Sequence, residues 1–247
     1  MNGTVQKSLN DPCGANYERR GDSSKRPIHT KHLRRSFINT LGIKGWGDCG
    51  TPVMVTSYDI ERRKTVFLKS WHPEHSELLC AEASRATSAA PTYFEPVNLQ
   101  WAEQSRTLID GGVFINSPAV SAYAEACKLF PDEPIAMLSM GTGELTRAIP
   151  YDEARTWGSA LWIMSLLDCM FDGASKAADH QMRLFLGDHY LRLQTQLHYA
   201  SDDMDDASRG NIRNLKQTAK ELIEREEEAL QRFLALDAPG ELKGLAH

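Results

Sequence analysis

Six consecutive residues without a charge, Ile135-Ala136-Met137-Leu138-Ser139-Met140, stop at Gly141-Thr142-Gly143. Such a run suits a strand covered on both faces of a sheet, because a strand with one wet face carries polar residues at alternate positions. Upstream, Arg106-Thr107-Leu108-Ile109 meets Asp110-Gly111-Gly112, and Pro118 opens a helix over Ala119 to Leu129 that Pro131 closes. This order of strand, turn, helix and strand is that of an α/β fold with a mostly parallel sheet. Met137 to Met140 is then expected to be a central strand, with Asp110 at the carboxyl end of another.

The remaining elements fit around this frame. Val53 to Tyr58 and Thr65 to Trp71 read as two strands joined by the polar Asp59 to Lys64, and they can pair as a hairpin. Glu74 to Ala90, rich in Ala, Leu and Glu, reads as a helix stopped by Pro91. Residues 153–187 read as one long helix or two shorter ones, with Trp157, Leu161, Met164, Leu167 and Phe171 at helical spacing, and His189 to Leu193 as a late strand. Ser201 to Asp206 is an acidic loop. In the last helix Ile212, Leu215, Ala219, Leu222, Ile223, Leu230, Phe233 and Leu234 recur at three- and four-residue intervals, opposite Glu221, Glu224, Glu227 and Glu228. Anionic headgroups repel that acidic face, so packing on the domain is expected and membrane insertion is not. The organisation is a loose basic arm over residues 1–24, a domain over 25–195, and an acidic loop with an amphipathic helix over 196–247.

Composition narrows the class. The 247 residues are 41% hydrophobic and 25% charged, which is the make-up of a soluble globular protein. No run reaches the roughly 18–20 apolar residues that cross a bilayer, and the first residues lack the apolar region of a secretory signal, so a cytoplasmic location is expected. Cys13, Cys49, Cys80, Cys127 and Cys169 are odd in number and show no C-x-x-C, which argues for free thiols and against a zinc ribbon. A net charge of -5 gives no support to nucleic-acid binding. Residues 1–44 are a local exception, with nine Lys/Arg against three Asp/Glu, and a nucleic-acid binder built on that arm would bind in a salt-sensitive way.

The candidate for chemistry is Asp110. A carboxylate at a strand's carboxyl end, followed by two glycines, sits where open α/β sheets place their ligands, and it can act as a general base. The alternative is an Asp-Gly turn whose carboxylate only accepts backbone N–H bonds. Other candidates are weaker. Gly173-Ala174-Ser175-Lys176-Ala177 has the G-x-S-x-A spacing, but it follows a helical segment where a nucleophile elbow needs a strand. Gly47-Asp48-Cys49-Gly50-Thr51 places a thiol among glycines, but ahead of a strand. The pairs His29/His32 and His72/His75 lack a third ligand of metal-site spacing, so they read as surface histidines and no metal is expected. Gly141-Thr142-Gly143 has the shape of an anion nest or of a simple strand-end turn, and no G-K-[ST] follows it.

A longer pattern ties these segments together. Ala83-Ser84-Arg85-Ala86-Thr87-Ser88-Ala89-Ala90-Pro91-Thr92-Tyr93-Phe94-Glu95-Pro96-Val97, then Leu108-Ile109-Asp110-Gly111-Gly112-Val113 and Asn116-Ser117-Pro118, then Leu138-Ser139-Met140-Gly141-Thr142-Gly143, resemble in order and spacing the second half of a patatin-like phospholipase domain. The resemblance covers about residues 25–195. It implies a three-layer fold and hydrolysis of lipid acyl esters by a Ser-Asp dyad without histidine. A serine in a G-x-S-x-G elbow attacks the ester, and the aspartate of the D-G-[AG] motif, here Asp110, takes its proton. Gly111, Gly112, Gly141, Thr142 and Gly143 would support the site. No cofactor is implied.

The 247 residues contain neither G-x-S-x-G nor the family's G-G-G-x-R-G oxyanion loop. Both motifs precede the matched region in the family, so an N-terminal segment bearing the nucleophile is expected to be missing, and the chain alone is expected to be inactive. The implied partners are a lipid or acyl-ester substrate, that missing segment and a peripheral membrane contact, with no nucleic acid. The competing reading is a non-catalytic remnant that binds a lipid or a protein.

Overall fold

The computed structural model describes residues 30–144 and 148–236. The basic arm of residues 1–24 lies outside them. Helix α1 (Thr30–Leu41) leads into a one-turn 3-10 helix at Trp46–Asp48 and then strands β1 (Met54–Asp59) and β2 (Lys64–Lys69). These form the expected hairpin, antiparallel from Met54 opposite Lys69 to Asp59 opposite Lys64. Its turn is fixed by Asp59, which is fully buried. Asp59 Oδ1 accepts the Glu61 and Arg62 N–H groups, and Oδ2 accepts from Arg62 Nη1 at 3.1 Å.

The helix expected over Glu74 to Ala90 is much shorter. Pro73–His75 is a 3-10 turn, and α2 spans only Cys80–Thr87. Leu79 is extended and bridges Gly45, which delays the helix, and the Glu82 carboxylate then accepts the Leu79 N–H at 3.0 Å as an N-terminal cap. Ser88 ends it. Strands β3 (Val97–Trp101) and β4 (Gln104–Asp110) follow as a second hairpin, and the sheet order is β2-β1-β4-β3, antiparallel throughout.

This corrects the expected mostly parallel sheet. Among the described residues strand β5 (Met137–Met140) pairs, in parallel, only with β6 (Tyr190–Leu193), in a separate two-stranded sheet, so it is not central to the main one. Nor is it covered on both faces. Its residues alternate between half-buried and exposed, and Met140 is 73% exposed. The charge-free run therefore marks an apolar face left open to solvent.

Helix α3 (Ala119–Leu129) matches its expected limits; α4 (Tyr151–Ala154), α5 (Ser159–Leu186) and α6 (Arg209–Leu236) complete the chain. Two cores result. The first packs Ala83 and Ala86 of α2 with Leu68, Leu99, Trp101 and Leu108 of the antiparallel sheet and with Trp46. The second joins Ala119, Met182 and Tyr190, with Val120, Tyr123, Met137 and Leu186 around them. No described helix is long and apolar enough to cross a membrane.

Candidate functional site

Asp110 is the last residue of β4 and caps the 3-10 turn Gly111–Val113. Its N–H donates to Ala89 O at 3.0 Å, just past the end of α2, and its Oδ1 accepts the Gly112 N–H at 2.7 Å. Oδ2 has no hydrogen-bond partner among the described residues. Burial pushes the Asp110 carboxyl above the usual carboxylate range, and the Gly112 N–H bond pulls partly the other way. A carboxylate so placed binds a proton more readily than one in water, as a general base must.

The turn that presents Asp110 requires glycine at one position for space. Gly111 is buried against β1, and a Cβ there would lie 2.5 Å from the Thr56 carbonyl carbon. Opposite Asp110 in the β1–β4 register stands Ser57, fully buried, whose Oγ reaches both Ile109 O and Ala86 O. Strand, turn and α2 are thereby fastened at one point.

Gly141-Thr142-Gly143 forms the turn after β5. The Gly141 N–H donates to Leu193 O at 2.9 Å and the Gly143 N–H to Gln194 Oε1 at 3.0 Å. Gly143 has φ +115°, and its missing side chain leaves room for Leu197. With both N–H groups engaged, this is a strand-end turn and not an open anion nest. Its three residues line a cavity of about 440 Å³ with Asn116, Ser117, Asp168, Ser175 and Arg192. Asp110 does not line that cavity. It adjoins it through Gly112, whose Cβ position lies 3.2 Å from Asp110 Oδ1 and 3.7 Å from Asn116 Oδ1.

Asn116 is the residue that sequence reasoning left without a role. Its Nδ2 donates to Ser175 Oγ at 3.0 Å, across from the Asp110 turn to α5. Ser175 itself lies in the middle of α5, not on a strand-to-helix elbow. Cys49 caps the Trp46–Asp48 turn and faces another thiol, Cys80, with Sγ atoms 3.9 Å apart. Neither residue sits on the strand-to-helix elbow from which a serine or thiol attacks an ester.

The structure supplies a third potential ligand to one histidine pair, because His72, Glu74 and His75 hold ligand atoms within 4.8 Å of one another. His75 Nδ1, however, accepts the Lys69 N–H at 3.2 Å, and that tautomer places the proton on Nε2, where a metal would bind. Burial, with His72 nearby, holds the His75 imidazole below its ordinary pKa. His29, of the other pair, lies outside the described residues.

No family model matches the chain. Individual relatives do. Patatin-11 of Solanum tuberosum is 29% identical over 245 residues, covering 83% of this chain and 63% of its own length. Patatin-17 of Solanum cardiophyllum is 30% identical over 246 residues, with 83% and 64% covered, and Patatin group J-1 of Solanum tuberosum is 29% identical with 83% and 63%. The chain is similar to patatins. It spans less than two thirds of the length of these relatives. The similarity to patatins extends over a mixed α/β chain in which an aspartate ends a strand beside a glycine-lined cavity.

Proposed function

We propose that the chain is the Asp-bearing part of a patatin-like lipid acyl hydrolase, a carboxylic ester hydrolase, in which Asp110 is the general base. The similarity to patatins over 83% of the chain carries this reading, and the half-buried carboxylate with a free Oδ2 supports it. The attacking serine and the oxyanion donors come from residues outside the 247, since the sequence holds neither motif. In the reaction, Asp110 Oδ2 takes the serine proton as the serine oxygen attacks the ester carbonyl. Collapse of the tetrahedral intermediate expels the alcohol, which leaves with the proton from Asp110. Water then attacks the acyl-serine, Asp110 accepting its proton and returning it to the serine. Gly111 and Gly112 hold the base, and Gly141, Thr142 and Gly143 bound the cavity beside it. No step needs a cofactor.

The apolar surface beside this cavity supports a missing covering segment. Met140 of β5 and Trp162, Ile163, Leu166 and Met170 of α5 are all exposed, and β5 has a free edge among the described residues. A lipid surface is the alternative occupant, and it belongs to the second reading, a non-catalytic lipid- or protein-binding remnant, which the absence of a nucleophile motif favours. One experiment separates the two. The chain alone should release no burst of alcohol from an activated ester, and the same chain extended by its upstream coding sequence should hydrolyse both that ester and a phospholipid. Turnover by the chain alone that Ser175→Ala abolishes in a folded protein would make Ser175 the nucleophile and overturn the proposal. An extended protein that folds but stays inactive would leave the remnant.

A further inference from the structure

Two thiols distant in sequence are clamped together at the start of α2. The segment Lys44 to Cys49 runs back along Leu78 to Cys80: the Trp46 N–H donates to Leu78 O at 2.6 Å, and the Cys80 N–H donates to Lys44 O at 2.9 Å. Cys49 ends the 3-10 turn on one side, and Cys80 opens α2 on the other. Their Sγ atoms lie 3.9 Å apart across 31 residues, and Cys80 Sγ also reaches Gly45 O at 3.4 Å. Cys80 is buried and Cys49 half-exposed, so an oxidant from solvent meets Cys49 first.

We propose that Cys49 and Cys80 are a two-electron oxidation site that takes hydrogen peroxide and closes a reversible disulfide. A disulfide needs its sulfurs about 2.05 Å apart, so the two must approach by under about 2 Å, which is within reach of side-chain rotation. The neighbouring Gly50 has nothing within 4 Å of its Cβ position and leaves the Cys49 backbone room to follow. The Cys49 thiolate attacks a peroxide oxygen; an S–O bond forms, the O–O bond breaks, and the leaving hydroxide takes a proton to become water. Cys80 then attacks the sulfenic sulfur, the S–S bond forms, the S–O bond breaks, and a second water leaves with the Cys80 proton. Two thiols and one peroxide thus give one disulfide and two waters. Burial, and then the Cys49 contact, raise the Cys80 thiol pKa, so the second step quickens as pH rises.

The bond would staple the segment 44–50 to α2, and Ala89 O, just past the far end of that helix, accepts the Asp110 N–H. The test uses the whole chain. After peroxide treatment and alkylation of the remaining thiols, a tryptic map should contain a peptide pair joining Cys49 to Cys80 that reduction splits. The melting temperature should rise by about 5–15 °C, because closing a loop of this size constrains the unfolded chain. Dithiothreitol should reverse the rise. Cys49→Ser should abolish both results and Cys169→Ser neither. Recovery of Cys80 fully alkylated beside a sulfinic Cys49, or of Cys49 joined to Cys13 or Cys169, would overturn the proposal. These outcomes are read on the wild-type chain and do not depend on how well any variant folds.

Discussion

Replacing Asp110 separates its structural role from the chemical one proposed for it. The carboxylate does two things in the fold: Oδ1 accepts the Gly112 N–H at 2.7 Å, and the group loses water on burial, which raises its pKa. In Asp110→Asn the amide oxygen still caps the turn, and there is no charge to desolvate. In Asp110→Ala the cap is gone, and losses of this kind run to about 0.5–2 kcal/mol. The pH dependence follows from the sign of the shift. A carboxyl whose pKa is raised in the folded state contributes stability that is fully present below its unfolded pKa, near about 3.9, and is lost as pH rises through the folded value. Asp110→Asn should therefore match or exceed the wild type in urea unfolding at about pH 7, with its relative advantage shrinking toward about pH 4. Asp110→Ala should fall about 1–2 kcal/mol below Asp110→Asn, a difference of roughly 2–8 °C in melting temperature. In the protein extended by its upstream coding sequence, Asp110→Asn should lose about 10²–10⁴-fold in ester hydrolysis while keeping its melt. If Asn destabilised the fold as much as Ala, or its advantage did not vary with pH, the account of a desolvated and otherwise free carboxylate would be refuted. Near-normal hydrolysis by a well-folded Asn variant would remove Asp110 as the base.

Gly111→Ala should cost about 3 kcal/mol in chemical denaturation, since its methyl group would meet Thr56 Oγ1 and Cβ and also the Thr56 carbonyl carbon, which no side-chain rotation moves away. The β3–β4 hairpin turns through Ala102 and Glu103, both at positive φ, so the double change Ala102→Asn with Glu103→Gly should stabilise the chain by about 1–2 kcal/mol on the same assay. Leu166→Glu, at an exposed position of α5, should shift the stability of the 247-residue chain by no more than about 0.5 kcal/mol but lower the melting temperature of the extended protein, where the proposed covering segment would bury that face.

Much of the fold was legible where local chemistry and tertiary context agree. The Pro118 and Pro131 bracket gave α3 its limits, and the polar link from Asp59 to Lys64 gave the first hairpin. The second hairpin was hidden because Ala102-Glu103 is not a turn sequence. Its two-residue loop adopts positive φ in residues that disfavour it, held by five register pairs from Val97 opposite Leu108 to Trp101 opposite Gln104. The Glu74 to Ala90 helix was overextended because alanine content cannot report that Leu79 is pulled into a bridge with Gly45.

The direction of the sheet was misread for a reason that bears on function. A charge-free strand is a statement about covering, not about neighbours in the same chain: β5 carries the composition of a buried parallel strand and does pair in parallel, yet only with β6. Asp110 stands out in the sequence because a carboxylate before two glycines is a local signal. Asn116 does not, because its contact depends on α5 bringing Ser175, 59 residues away, to it. The Cys49–Cys80 clamp is equally non-local. The same exposed Met140 and α5 residues that make the sequence look better buried than the chain is are what the proposed covering segment would bury, and the edge of β5, free among the described residues, would give that segment a backbone to pair with. A lipid surface would satisfy the side chains but leave the edge's N–H and C=O groups unpaired, which is costly away from water. The edge therefore supports the proposed polypeptide cover over a bilayer as what would complete this face.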